Sequence, residues 1–312
     1  MRTLCTIQRI TSIEPIPDAD KIEVAKVLGW QAVIKKGEFQ VGDLVIFCEI
    51  DSVMPDTADF QWLKNRRIKT MRLRGCLSQG LVLPLTYLPT DNVIIEGLDV
   101  TKDLNVTKYQ ELSTTTGSNT KGDWPSFLVK SGATRLQSIK LDITNQLGYV
   151  TEKLDGTSAT YYIHNGDYGI CSRNLELKLE GKSVYHYCDS RYDISQSLRD
   201  NYDYLAIQGE IVGPGVQGNR YELKEPTLFL YTAYDIMQGK RLNLFELHKV
   251  ANKLGIPVVP VLGTMPTNLS LLSHRQSSLN PTVLAEGIVI DLEDHPTKYK
   301  LIDPEYLLKH NL

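Results

Sequence analysis

The reading of this chain turns on Thr151-Glu152-Lys153-Leu154-Asp155-Gly156-Thr157-Ser158. A strand over Tyr149–Glu152 delivers a lysine, Asp155-Gly156 makes a short turn, and a second strand leaves from Thr157. Downstream, Asn165-Gly166 is a two-residue hairpin signal. With that pair as the turn, His164 faces Asp167, and counting back along both strands puts Ser158 opposite Arg173. Arg173 thus returns to within a few residues of Lys153. A nucleophilic lysine needs such cationic company, because nearby positive charge disfavours the ammonium form and frees the lone pair. Taken alone, Lys153-Leu154-Asp155-Gly156 reads better as an exposed turn, since motifs this short recur by chance. The rest of the chain decides otherwise.

Five further motifs come in order: Ser172-Arg173-Asn174, Gln208-Gly209-Glu210-Ile211-Val212-Gly213-Pro214-Gly215, Tyr231-Thr232-Ala233-Tyr234-Asp235-Ile236, Glu286-Gly287-Ile288-Val289-Ile290 and Lys298-Tyr299-Lys300. With the Lys153 motif they resemble the covalent nucleotidyltransferases, the superfamily of ATP-dependent ligases and mRNA capping enzymes. Gly37-Glu38-Phe39-Gln40-Val41-Gly42-Asp43 and Glu49-Ile50-Asp51-Ser52-Val53 lie ahead of them, and Gln217-Gly218-Asn219-Arg220-Tyr221 and Pro304-Glu305-Tyr306-Leu307-Leu308-Lys309 come later. These runs are similar to ATP-dependent RNA ligases that carry an OB-like domain before the adenylyltransferase domain.

The resemblance implies a role for each matched residue. Lys153 attacks the α-phosphorus of ATP and holds AMP through a phosphoramide bond. Lys298 and Lys300 stand at i and i+2, so on a strand both ammonium groups point to one face, where they neutralise moving phosphate charge. Asp155, Glu210 and Glu286 are the expected carboxylates for Mg²⁺ or Mn²⁺. Glu210 and Arg173 are expected on the nucleotide sugar, Tyr234 stacked on adenine, and Glu152 as a further adenine contact. Glu286, Lys298 and Lys300 complete the nucleotide site. For Tyr234, ordinary sheet core is the competing explanation, since aromatics are common in strands.

The chain around these motifs divides into two. Short β-rich runs at Thr3–Ile13, Lys21–Leu28, Gln31–Ile34, Asp43–Ile50 and Gly80–Leu85, punctuated by turn residues, predict a small OB-like β-barrel over residues 1–111. A polar, glycine-bearing stretch over 112–125 reads as a linker. Residues 126–312 read as an α+β adenylyltransferase domain of antiparallel sheets with flanking helices. One helix is expected over Asn243–Leu254, with Asn243 as cap, Glu246 three residues on, and Gly255 and Pro257 as stops. Others are expected near Ser190–Asn201 and Pro304–Lys309.

Composition excludes several classes. With 42% hydrophobic and 23% charged residues among 312, both parts can bury a core, which rules out a largely disordered chain. No apolar run approaches the ~20 residues that cross a bilayer, and Met1–Cys5 opens no secretory leader, so a soluble, cytoplasmic monomer is expected. The five cysteines, Cys5, Cys48, Cys76, Cys171 and Cys188, show no metal spacing and are expected as reduced thiols. Gly213-Pro214-Gly215-Val216-Gln217-Gly218 fits a dinucleotide-binding pattern, but a loop succeeds it where that motif requires a helix. Net charge is only −3, yet Lys64, Arg66, Arg67, Lys69, Arg72 and Arg74 cluster without an acid, behind Phe60 and Trp62. Cations beside aromatics suit an RNA backbone with base stacking.

The expected function is therefore an ATP-dependent RNA ligase of the repair type, joining a 3′-hydroxyl to a 5′-phosphate through lysyl-AMP and an adenylylated RNA end. The alternatives are a DNA or mixed-polymer ligase on the same chemistry, and a non-catalytic RNA-binding protein with a decayed transferase domain.

Overall fold

A computed structural model describes residues 3–90, 92–109, 119–143, 145–265, 269, 273–293 and 295–312. The chain forms two compact units. The first is a nearly closed barrel of five antiparallel strands. Its long strand, Cys5–Pro15, serves both halves: Cys5–Arg9 pair with Leu44–Cys48, and Ile10–Pro15 pair with Ile22–Val27. A register break between Ile10 and Ser12 turns the strand from one partner to the other. Trp30–Lys35 closes the ring, with Gln31 Nε2 donating to the Leu77 carbonyl at 2.7 Å and Val33 N donating to Ser78 Oγ at 3.0 Å. Ile7, Trp30, Ile46, Phe47 and Ile50 fill the interior. Aligned in-facing side chains of this size are what a small barrel requires.

Two stretches from later in the sequence also belong to this unit, Arg135–Asp142 and Asp303–Leu312. Gly29 N donates to the Gln137 carbonyl at 2.9 Å, and Thr70 N to the Leu312 carbonyl at 3.2 Å. The Pro304–His310 helix is therefore built into the first unit, whereas sequence order assigns it to the 126–312 domain. Of the expected 112–125 linker, residues 112–118 lie outside the described ones, while Thr120–Asp123 pair as a strand with Leu175–Leu177. The expectation of five reduced thiols is also corrected. Cys5 and Cys48 face each other across a ladder, Cα atoms 4.1 Å apart, and form a disulfide, leaving Cys76, Cys171 and Cys188 as free thiols. Their 43-residue separation hides that juxtaposition from the sequence.

The second unit holds two antiparallel sheets. A seven-stranded one runs Thr120–Asp123, Leu175–Leu177, Asp167–Cys171, Thr157–His164, Tyr204–Val212, Thr227–Asp235, Lys240–Arg241. The other places Lys298–Ile302, Gly287–Leu292, Gly148–Lys153 and Val261–Thr264 side by side. The Leu244–Leu254 helix covers one face of the first sheet through Leu247, Val250, Ala251 and Leu254. Its expected cap is in place: Asn243 Oδ1 accepts Glu246 N at 2.9 Å and Glu246 Oε2 accepts Asn243 N at 2.8 Å. The helix expected near Ser190–Asn201 is instead two, Val184–Tyr192 and Ile194–Asn201, broken at Asp193 with φ 47°. Asp189 Oδ1 accepts Ser195 N at 3.0 Å, so its side chain starts the second helix and stabilises the break. Among the described residues no helix is long and apolar enough to cross a membrane.

Candidate active site

The Asn165-Gly166 hairpin forms in the expected register, His164 facing Asp167 and Thr160 facing Cys171. The ladder ends there, so Ser158 pairs with Glu210 on the neighbouring strand rather than with Arg173. Arg173 is exposed just beyond the strand end, and its charge reaches Glu210. Lys153 is the last residue of its strand, and its Nζ lies 2.7 Å from Glu286 Oε2. Glu286 owes its place to Gly287, whose missing Cβ would lie 2.1 Å from the Leu301 carbonyl oxygen. Gly156 is constrained the same way, 2.3 Å from the Ile211 carbonyl oxygen, and its N–H binds the Glu210 carboxylate. The turn after the lysine thus carries Glu210 on its backbone.

Glu210 is half-buried, and burial pushes its carboxyl up to about 7. The Glu286 charge adds to that rise, while Lys153, Arg173 and the Gly156 N–H oppose it. The site therefore brings together Lys153, Gly156, Arg173, Glu210 and Glu286. Asp155 stands beside them, ion-paired with Arg220, and its N–H donates to Tyr221 Oη at 2.7 Å.

The paired lysines share the face of the nucleophile. Lys153 pairs with Gly287 and Gly287 with Ile302, while Thr151, Val289 and Lys300 form the next row on that side. Lys298 is one step further along the same face. Lys300 is half-buried, and Lys298 is buried, with Nζ donating to the Tyr231 carbonyl at 2.8 Å and lying 3.0 Å from Asp291 Oδ2. Burial pulls the Lys298 ammonium below its usual range; Arg241 adds to this and Asp291 opposes it.

Two expected assignments do not fit this geometry. Glu152 points to the opposite face, as the alternation of a strand dictates, and is 1% exposed. Its carboxylate accepts Arg275 Nη1 at 2.9 Å and Ser278 N at 2.8 Å, so it anchors the 275–278 segment instead of facing the lysines. Tyr234 sits opposite Ala206, four residues along the strand from Glu210, or roughly 13 Å at strand spacing. Half-buried, it packs against the buried cluster of Leu128, Tyr162, Cys171 and Ala206. Two aromatics flank Glu210: Phe229, which faces it across the ladder, and Tyr231, whose hydroxyl lies 2.9 Å from Ser158 Oγ and 3.0 Å from Ser131 Oγ. Burial and the Glu210 charge both raise its phenol. A bulge between Gly209 and Gln208 leaves Tyr231 as the extra residue on its strand, which side-chain alternation alone does not reveal.

The expected metal trio is not assembled either. Among the described residues no three carboxylate, imidazole or thiol groups converge as a metal-holding set, because Asp155 is turned onto Arg220 and Glu286 onto Lys153. Glu210 and Glu286 nevertheless fit a hard divalent cation. Their charges oppose each other across the site, and such ions are commonly held by one or two carboxylates with the rest supplied by phosphate and water.

In the first unit the cationic cluster separates into two kinds of residue. Arg67 is 7% exposed, 2.8 Å from Asp51 Oδ1 and stacked 3.6 Å over the Tyr109 ring. Lys69 donates to the Asn311 carbonyl at 2.8 Å and Arg72 pairs with Glu305. Arg67 is thus structural, while Lys69 and Arg72 are tied at the surface and Arg72 stays exposed. Lys64 and Arg74 are exposed, Arg66 is half-buried 3.8 Å from Asp56, and Trp62 is 66% exposed.

A family profile described as an OB-fold domain matches residues 4–85, and one described as RNA ligase matches residues 148–300. A Naegleria gruberi RNA ligase variant solved with AMP and Mn is 33% identical, with 99% of each chain covered and a TM-score of 0.91. The same protein solved with pyrophosphate is 34% identical over 100% of this chain and 99% of that one, at 0.91. A variant with ATP and Mn is 33% identical over 99% of each chain, at 0.90. No curated protein matches the chain.

Proposed function

This chain belongs to the RNA ligase family, and on that premise we propose that it uses ATP to join an RNA 3′-hydroxyl to a 5′-phosphate. The observation that carries the proposal is Lys153 at a strand end, 2.7 Å from Glu286 and beside Glu210, with Lys298 and Lys300 on its own face. Uncharged Lys153 Nζ attacks the α-phosphorus of ATP. The bond to the bridging oxygen breaks and pyrophosphate leaves, giving lysyl-AMP. An oxygen of the RNA 5′-phosphate then takes the adenylyl group, and Lys153 leaves. Last, the 3′-hydroxyl oxygen attacks that 5′-phosphorus, its proton is lost, and AMP departs.

The residues divide this work by position. Lys300 and Lys298 neutralise charge on the moving phosphates. Arg173, at the mouth, meets the nucleotide, and Tyr231, its hydroxyl held by Ser158 and Ser131, offers an aromatic ring beside Glu210. Glu210 and Glu286 would hold Mg²⁺ or Mn²⁺, which when bound supplies Lewis-acid neutralisation of phosphate oxygens. Lys64, Arg66 and Arg74, with Trp62, are the first unit's contacts to RNA.

The test is incubation with α-labelled ATP and Mn²⁺ or Mg²⁺, then a denaturing gel. The protein should take the label through an acid-labile bond, and Lys153→Ala and Lys153→Arg should remove it, since arginine keeps the charge without a usable lone pair. Label surviving in Lys153→Ala would refute the nucleophile, and label from GTP but not ATP would refute the nucleotide.

A further inference from the structure

Lys298 is held more elaborately than phosphate neutralisation requires. An ammonium has three donors. The Tyr231 carbonyl takes one at 2.8 Å, and Asp291 Oδ2 lies 3.0 Å away to take a second. Asp291 is 5% exposed and fully engaged: Oδ2 also accepts Tyr149 Oη at 2.6 Å, and Oδ1 lies 2.9 Å from Arg241 Nη2. Tyr231 and Arg241 belong to the sheet that carries Glu210, whereas Asp291, Lys298 and Tyr149 belong to the sheet that carries Lys153. One buried carboxylate therefore joins two cations, one from each sheet.

We propose that Asp291 is a positioning residue for adenylyl transfer: it seats the Lys298 ammonium between itself and the Tyr231 carbonyl, on the face of the nucleophile, with the third N–H directed to the nucleotide phosphate. The proposal rests on lysyl-AMP formation at Lys153. A carboxylate that merely clasped the sheets would be replaceable by any group that preserved the fold. A positioning carboxylate also keeps Lys298 charged, and that makes the two roles separable.

The groups facing Lys298 are Asp291 on the adjacent strand, Arg241 on the Lys240–Arg241 strand, Tyr149 on the nucleophile strand and the Tyr231 carbonyl. Asp291 favours the charged lysine, and Arg241 disfavours it. If transfer needs charged Lys298, the rate falls on the alkaline side as that proton is lost. Asp291→Asn should move this alkaline limb to lower pH by about one to three units, the usual effect of one close opposite charge. Arg241→Gln should move it to higher pH. The experiment is single-turnover formation of labelled lysyl-AMP by the full chain between pH 6 and 10, for wild type and both variants. Opposite displacements support the positioning role. Limbs that coincide with wild type, or move the same way, overturn it. If Asp291→Asn fails to fold, Arg241→Gln decides alone: an upward move supports the role and an unmoved limb overturns it. A wild-type chain that takes no label overturns the functional reading and this proposal together, whereas a labelled wild type with unmoved limbs overturns only the proposal.

Discussion

Replacing Glu210 by glutamine should abolish adenylylation and, without metal, make the chain more stable. Burial and the Glu286 charge raise this carboxyl from 4.5 to about 7, so the folded chain holds its proton more tightly than the unfolded chain does. Stability due to that proton is therefore fully present below pH 4.5 and is lost as pH rises through about 7. Each pH unit between the two values is worth about 1.4 kcal/mol, so ionised Glu210 costs about 3 kcal/mol at pH 8. Glutamine cannot ionise, and it keeps an oxygen for the Gly156 N–H. For a unit of this size about 3 kcal/mol corresponds to roughly 6–12 °C in melting temperature, an upper figure because the buried amide has its own desolvation cost. The assay is urea denaturation of both proteins in chelator at pH 5, 6, 7 and 8.5. The advantage of Glu210→Gln should be small at pH 5 and grow to a plateau above pH 7. Added Mn²⁺ should close the gap by stabilising the wild type more. A variant less stable than wild type at pH 8.5, or an advantage independent of pH, would show that Glu210 is not strained by its surroundings.

Two further substitutions separate machinery from scaffold. Lys64→Glu with Arg74→Glu should leave melting unchanged and flatten the salt dependence of RNA binding by roughly 0.7 log units per lost phosphate contact, whereas Arg67→Ala should cost about 1.5–3 kcal/mol of stability by removing a charged hydrogen bond to Asp51, which keeps Arg135; equal salt slopes would remove this surface from the RNA path. Tyr231→Ala should weaken ATP-dependent labelling at least tenfold while Tyr234→Leu, which removes the ring, leaves it intact, as read by labelling across ATP concentration, and the reverse pattern would restore Tyr234 to the nucleotide.

The features legible in the sequence were those fixed by short-range rules. The Asn165-Gly166 turn sets the hairpin register within a handful of residues. Asn243 and Glu246 open their helix by reciprocal hydrogen bonds within one turn, and Gly255 closes it at φ 64°. The i, i+2 spacing of Lys298 and Lys300 puts both on one face whatever lies across from them. Partners far apart in sequence were not legible. Cys5 meets Cys48 because two strands align, and Arg67 is claimed by Asp51 and Tyr109 from separate parts of the barrel. A dense cationic run looks the same in sequence whether its members face solvent or a buried acid.

Glu152 and Tyr231 show where the boundary between legible and hidden falls. The residue before the nucleophile was bound to face away from it, since neighbouring strand positions point to opposite sides; what the sequence withheld was Arg275, its ion partner from 123 positions further on. Tyr231 needed one more fact. Strict alternation separates positions 231 and 234 onto opposite faces and gives no reason to prefer either. The register break opposite Gly209 and Gln208 removes that separation, and distance along the strand then favours Tyr231 over Tyr234, with Phe229 directly opposite Glu210. Sequence motifs thus identify the groups that meet the nucleotide, while the residues that aim them, Asp291 behind Lys298 above all, become visible only once the two sheets are set side by side.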